Sequence, residues 1–67
     1  METMKIKPYT FLKLSDNESD NRFRIIRYNL TKRDWDILDG LYTDKMAMLS
    51  QIDKLNEEAG TITIILE

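Results

Sequence analysis

The amino-acid sequence predicts a small α+β domain of order β-β-α-β over residues 1–67. Its three-stranded, mainly antiparallel sheet is expected to be covered on one face by one kinked helix or two short helices. Three patterns predict this fold class. Two early segments alternate polar and apolar side chains, a central segment spaces its apolar side chains helically, and the last segment is rich in β-branched residues.

The first two strands are predicted to form a β-hairpin. Residues 4–14 alternate with a period of two, which indicates a half-buried strand. Pro8 suggests an edge strand or a bulge, because proline has no N–H to donate to a neighbouring strand. Residues 15–21 are polar turn formers, and residues 22–28 provide the second strand.

The helical segment is predicted over residues 32–58. Thr31 is a candidate N-cap, with Asp34 at the third helical position of a capping-box-like arrangement. Leu30 and Trp35 have the spacing of a hydrophobic staple. Apolar side chains then recur at helical spacing: Trp35, Leu38, Leu41, Tyr42, Met48, Leu49, Ile52 and Leu55.

Two glycines divide and end this segment. Gly40 costs about 1 kcal/mol relative to alanine inside a helix, and Thr43 can cap a second helix. One kinked helix and two short helices therefore both remain open. Gly60 suits the position just after a helix, and the β-branched residues of 61–66 predict a final strand.

Charge is distributed unevenly along the chain. Residues 1–33 hold eight Lys and Arg against four Asp and Glu, whereas residues 34–67 hold two against eight. The two halves therefore carry net charges of +4 and −6, which sum to the −2 of the whole chain. Such asymmetry predicts that charged surfaces take part in binding.

The composition argues against catalysis. The chain has no histidine and no cysteine, so a nucleophile paired with an imidazole base and a thiolate or imidazole metal site are both excluded. We therefore expect no enzyme, no catalytic residue, no cofactor and no metal. No stretch approaches the roughly 20 apolar residues of a membrane span, so we expect no membrane partner. The absence of cysteine is compatible with a reducing compartment, and we expect a cytoplasmic protein.

The leading hypothesis is protein binding through an acidic helix. Carboxylates held in fixed positions on a helix can imitate a row of phosphates and occupy a basic site on a nucleic-acid-binding protein. A solvated helix face is the simpler interpretation. The residues predicted to bind a partner are Asp36, Asp39, Tyr42 and Asp44.

The alternative hypothesis is single-stranded nucleic-acid binding by the hairpin. Basic side chains can hold phosphates while aromatic rings interleaved with them stack on bases. A solvated strand face with aromatic core residues would have the same pattern. The residues predicted for this face are Lys5, Lys7, Tyr9, Phe11, Lys13, Arg22 and Arg24.

Self-association is also predicted, as a homodimer, because a domain this small gains from burying more apolar surface.

The chain resembles the small uracil-DNA glycosylase inhibitors of Bacillus phages, around Leu30–Tyr42. The shared features are the two strands, the Leu30-Thr31-x-x-Asp34-Trp35 helix start and the short last strand. This resemblance implies a dimeric DNA mimic. We therefore expect a phage-type inhibitor that blocks a host protein, plausibly one that binds or processes nucleic acid.

Overall fold

The computed structural model describes residues 1–66, which form two antiparallel sheets and one helix. A three-stranded sheet carries the helix on one face, so the predicted α+β class is confirmed. A second sheet consists of the first and last strands. The elements are β1 (Glu2–Ile6), β2 (Tyr9–Lys13), β3 (Phe23–Asn29), β4 (Asp34–Ile37), α1 (Lys45–Ala59) and β5 (Ile62–Leu66).

The three-stranded sheet has β3 at its centre. β2 and β3 form the predicted hairpin with Phe11 opposite Ile25, and β4 pairs with the other side of β3 with Trp35 opposite Tyr28. Successive side chains of a strand point to opposite faces. Phe11 and Ile25 therefore face α1, whereas Tyr28 and Trp35 face away from it.

The core lies between α1 and the facing side of this sheet. Its four buried apolar side chains come from β3 and α1: Phe23, Ile25, Met48 and Ile52. Partly buried side chains extend it, namely Tyr9, Phe11, Leu38, Tyr42, Leu49 and Leu55. The predicted helical apolar pattern was therefore right for the side chains from Met48 to Leu55, which lie on α1.

The single strand predicted over residues 4–14 is divided in the structure. β1 ends at Ile6, β2 begins at Tyr9, and the two strands pair with different partners. The carbonyl of Pro8 accepts a hydrogen bond of 2.9 Å from the Tyr28 amide, which ends the β2–β3 ladder. Proline donates no backbone hydrogen bond, so it suits the point where the chain changes partner.

The predicted helix start at Thr31 is wrong, because this segment is the turn between β3 and β4. The Asn29 side chain accepts hydrogen bonds from the amides of Thr31 and Lys32, at 3.0 and 3.2 Å. The Asn29 carbonyl accepts from the Arg33 amide at 2.8 Å, and Arg33 has a φ of 56°. These local bonds give the backbone an alternative to a helix.

The helix predicted over residues 32–58 is shorter than expected and is a single element, α1. Asp44 is its N-cap, and its carboxylate accepts from the amides of Met46 and Ala47 at 3.0 and 3.3 Å. The expected role of Gly60 is confirmed, since this residue ends α1 with a φ of 74°. The predicted final strand is also confirmed as β5.

β1 and β5 form a two-stranded antiparallel ribbon. Met4 lies opposite Ile64, and Ile6 lies opposite Ile62, so these four side chains share one face. Across residues 1–66, no Cα atom of the ribbon strands comes within 8 Å of one in α1, β2, β3 or β4. The ribbon therefore extends from the body, and the molecule measures 42 × 25 × 18 Å.

Candidate functional site

The two aromatic residues predicted for a nucleic-acid face lie on the side of the sheet that α1 covers. The rings of Phe11 and Phe23 meet edge to face, with centroids 5.8 Å apart. Lys45 places its ammonium 5.9 Å from the centre of the Phe11 ring. The backbone N–H and carbonyl of Tyr9 both bond to the side-chain amide of Asn56, at 2.9 and 3.0 Å. Both aromatic residues thus contribute to packing.

The basic residues predicted for the same face are spread over several parts of the molecule. Lys5 is in the ribbon, and Lys7 is in the bend between β1 and β2. Lys13 is on the α1 side of the sheet, whereas Arg24 is on the opposite side. The structure therefore does not bring these cations together on one face, and their role in binding stays a prediction.

Arg22, the remaining predicted cation, is paired with a neighbour. Its guanidinium forms two hydrogen bonds with the Asp20 carboxylate, of 2.8 and 2.7 Å. The hydrogen bond with Arg22 lowers the pKa of Asp20, and the same contact raises the pKa of Arg22. This ion pair is local to the β2–β3 loop.

The four residues predicted for the acidic surface are not on one helix. Asp36 is on β4, Asp39 is in the following loop, and Asp44 uses its carboxylate as the N-cap of α1. Tyr42 pairs with Phe23 through two backbone hydrogen bonds of 2.8 and 2.9 Å, and its half-buried ring packs against the core. Their part in binding stays a prediction, without the helix on which it was based.

Asp36 is held by three neighbours on the α1 side of the sheet. Its carboxylate accepts from Asn29 at 2.9 Å and Lys32 at 3.3 Å, and Arg27 lies 3.8 Å away. The hydrogen bond from Asn29 is the main cause of its lowered pKa, followed by the one from Lys32. Through these hydrogen bonds and this ion pair, the Asp36 carboxylate links β4 to β3 and to the turn between them.

The side of the sheet away from α1 is the most distinctive surface. We call it the open face. It consists of Thr10, Leu12, Arg24, Ile26, Tyr28, Trp35 and Ile37. Trp35 is 40% exposed and Ile37 is 57% exposed. The rings of Tyr28 and Trp35 meet edge to face, 5.2 Å apart.

None of the seven side chains of the open face is acidic, although the chain as a whole is. Arg24 is the one cation on this face and forms no ion pair with any residue of 1–66. This surface was not predicted from the sequence, because Trp35 has helical spacing with the apolar residues that follow it. Polar and apolar side chains alternate at Asp34, Trp35, Asp36 and Ile37. This alternation indicates a strand and would have predicted that Trp35 and Ile37 share one face.

A cleft of about 360 Å³ lies beside the open face. One wall comes from the β3–β4 hairpin, through Tyr28, Leu30 and Arg33, and the other comes from Thr63, Ile64 and Ile65 of β5. Three consecutive residues of a strand point alternately to its two faces. A cleft lined by all three, with no residue of β1, therefore runs along the outer edge of β5.

Comparison with known proteins gives no match: no family model, curated protein or solved structure is significantly similar to the chain. Within residues 1–66, no helix has the length and apolar character needed to cross a membrane. In the same part of the chain, no three side chains of the metal-ligating types converge on one point. The surfaces described above are therefore the features of this chain that bear on its function.

Proposed function

We propose that this chain is a small non-enzymatic module that binds another protein through the open face. The observation that carries this proposal is the pair of exposed apolar side chains, Trp35 and Ile37, on a sheet face without carboxylates. Aromatic residues and arginine are enriched in protein interfaces, and acidic residues are depleted from their centres. Tyr28, Trp35 and Arg24 give the open face this composition.

The rigidity of the open face also supports protein binding. Trp35 and Tyr28 are on paired strands and support each other edge to face. A side chain that is already held loses little freedom when a partner docks, so more of the contact energy remains as affinity. Tryptophan anchors of this kind commonly contribute 2 kcal/mol or more to binding, about a thirtyfold effect.

A phage-type inhibitor of a host protein stays a prediction within this proposal. Its original basis was an acidic helix, but α1 has a nearly balanced charge. It carries Lys45 and Lys54 against Asp53, Glu57 and Glu58. Asp39 is the one predicted acidic residue that is exposed and uses no side-chain atom in a bond within residues 1–66. Apolar contact on the open face therefore has more structural support than phosphate mimicry.

Single-stranded nucleic acid is the second candidate ligand, on a different surface from the one predicted. Tyr28 and Trp35 on an open antiparallel sheet, with Arg24 on the same face, are the groups that stack on bases and contact phosphates. The apolar character of Leu12, Ile26 and Ile37 favours protein over nucleic acid on this face.

Affinity capture with variant chains tests the proposal. The wild type, Trp35→Ala and Ile37→Lys are compared for capture from a bacterial lysate, with and without nuclease. Met46→Ala is the control, because Met46 is also exposed but lies on α1, on the other side of the sheet from the open face. Circular dichroism verifies that every variant is folded.

We expect a partner that is retained after nuclease treatment, retained by Met46→Ala and lost by both open-face variants. Capture that is equal for all four chains would contradict the proposal. Trp35 is the only tryptophan, so its fluorescence reports directly on the open face. Quenching by single-stranded oligonucleotides, with nuclease-sensitive capture, would favour the second candidate instead.

A further inference from the structure

We propose that two copies of this chain associate through the outer edges of their β5 strands, which pair antiparallel to make a continuous four-stranded sheet. In this sheet the order is β1, β5, then β5 and β1 of the second copy. The proposed interface differs from the open face, with which it shares Tyr28, and it assigns a surface to the predicted homodimer.

The chain exposes more surface and is more extended than a compact protein of the same size. Its solvent-accessible surface is 5250 Å², whereas a compact protein of this mass exposes about 4,450 Å². The excess, about 800 Å², equals the share of one partner in a standard protein interface. The radius of gyration is 13.2 Å, against about 11 Å for a compact chain of this length.

The ribbon accounts for this extension and is the part that needs a partner. It makes no close backbone contact with the other elements in the described chain. A two-stranded ribbon is marginally stable in water, and independent stability needs three or more strands with an apolar face, or packing against a helix. One face of the ribbon carries five apolar side chains, Met4, Ile6, Ile62, Ile64 and Leu66, with Glu2 at the end of this face opposite Leu66.

β5 has the character of a strand that pairs on both sides. Natural edge strands are usually protected from pairing by charged residues or proline. The residues of β5, Ile62–Leu66, include neither, and four of the five are β-branched. Ile65 is 52% exposed.

The other sheet edges are protected. Asn56 occupies the backbone groups of Tyr9 on β2, and β4 carries Asp34 and Asp36. β1 carries Glu2 and Lys5. The uncharged edge of β5 is therefore the one suited to a second strand.

A two-fold axis through Ile64 aligns the β5 strands of the two copies without opposing any charged side chains. Ile64 of one copy lies opposite Ile64 of the other, Ile62 lies opposite Leu66, and Thr63 lies opposite Ile65. No charged residues are opposed. Each pair joins residues that point to the same face, so the apolar faces of the two ribbons become continuous.

The cleft provides the space for the incoming strand. It runs along the β5 edge, where its volume of about 360 Å³ leaves part of the edge accessible from outside. Tyr28 and Leu30 form an apolar wall against which isoleucine side chains of the second copy can pack. The interface therefore includes the β3–β4 hairpin as well as the ribbon.

Sedimentation velocity and a cysteine cross-link test this interface on the full chain. The wild type, Ile65→Lys and Leu41→Lys are sedimented in the high-micromolar range. Leu41→Lys adds the same charge at a comparably exposed leucine away from the ribbon. Ile64→Cys and Leu41→Cys are then oxidised mildly, which is informative because the chain has no cysteine of its own.

We expect dimers for the wild type and Leu41→Lys, and a folded monomer for Ile65→Lys. Ile64→Cys should form a disulfide-linked dimer, because directly opposed residues place their Cβ atoms about 5 Å apart, whereas Leu41→Cys should not. A monomeric wild type would overturn the proposal. A wild-type dimer in which Ile64→Cys fails to cross-link would also overturn it, even if Ile65→Lys does not fold.

Discussion

Met48→Ala is expected to be the most damaging apolar truncation in α1, and Met46→Ala supplies a matched control. Met48 is 0% exposed between α1 and the sheet, whereas Met46, two residues earlier in the same helix, is 73% exposed. The two substitutions remove the same atoms from the same element. Any difference between their effects on the free energy of unfolding is therefore due to the burial of Met48.

The expected magnitude follows from the size of the core. Truncation of a buried methionine to alanine costs about 2–5 kcal/mol, with larger values where the cavity cannot collapse. Met48 is packed by few fully buried neighbours, so we expect partial collapse and a loss of about 3 kcal/mol. A chain of this length has a total free energy of unfolding of roughly 3–10 kcal/mol. Met48→Ala should therefore remove a large part of it.

Urea denaturation followed by circular dichroism measures this loss. With a slope of about 1 kcal/mol per molar urea for a small protein, Met48→Ala should lower the midpoint by about 3 M. Met46→Ala should shift it by less than about 0.5 M, as exposed substitutions usually do. Equal shifts for the two variants would refute the position assigned to Met48 in the core.

Three further predictions concern the polar contacts that hold the elements together. Asp44→Ala should lower the free energy of unfolding by about 1 kcal/mol through loss of the N-cap, and Asp44→Asn should restore most of it in urea denaturation. Asn56→Ala should cost about 1–3 kcal/mol, because it leaves both part-buried backbone groups of Tyr9 without their partner; a loss no larger than that of Lys54→Ala would contradict this contact. The pKa of Asp36 is lowered from its ordinary value of 3.8. The stabilisation that its charged carboxylate contributes is therefore fully present above pH 3.8 and is lost as the pH falls through the lowered pKa. Asp36→Asn should therefore be less stable than the wild type at neutral pH, with a difference that shrinks in acid; a difference independent of pH would contradict the role of the charge.

The parts of the fold that the sequence predicted well depend on local composition. The β-branched run of β5 and the positive φ of Gly60 follow from properties of single residues. The β2–β3 hairpin follows from alternation on both sides of a polar loop. These signals need no knowledge of the tertiary contacts.

The wrong helix start shows where local signals compete. Thr31, Asp34 and Trp35 have helix-start spacing, but Asn29 offers its side chain to the same backbone amides that a helix would use. The outcome was decided by pairing along β3, where Trp35 packs on Tyr28. That contact is between strands and cannot be read from helical spacing.

The candidate site was harder to predict, because residue type alone does not say which face a side chain occupies. Tyr9 and Phe11 were assigned to a ligand face and contribute to packing beside α1. Trp35 was assigned to the apolar stripe of a helix and is instead exposed on a strand of the open face. Two separate errors, in the face of β2 and in the type of element at Trp35, therefore exchanged the core and surface roles of these aromatic residues.

The charge asymmetry of the sequence has a structural explanation that bears on function. Arg27 and Lys32, from the basic half, lie beside Asp36 from the acidic half, so part of the asymmetry serves to hold β3, its turn and β4 in register. These charged side chains lie on the α1 side of the sheet or at the turn. The opposite side is left with Trp35 and Ile37 and without a carboxylate. Because two of the three acidic residues that first indicated a binding surface, Asp36 and Asp44, are engaged in holding the hairpin or capping α1, the apolar open face is the stronger candidate for recognition.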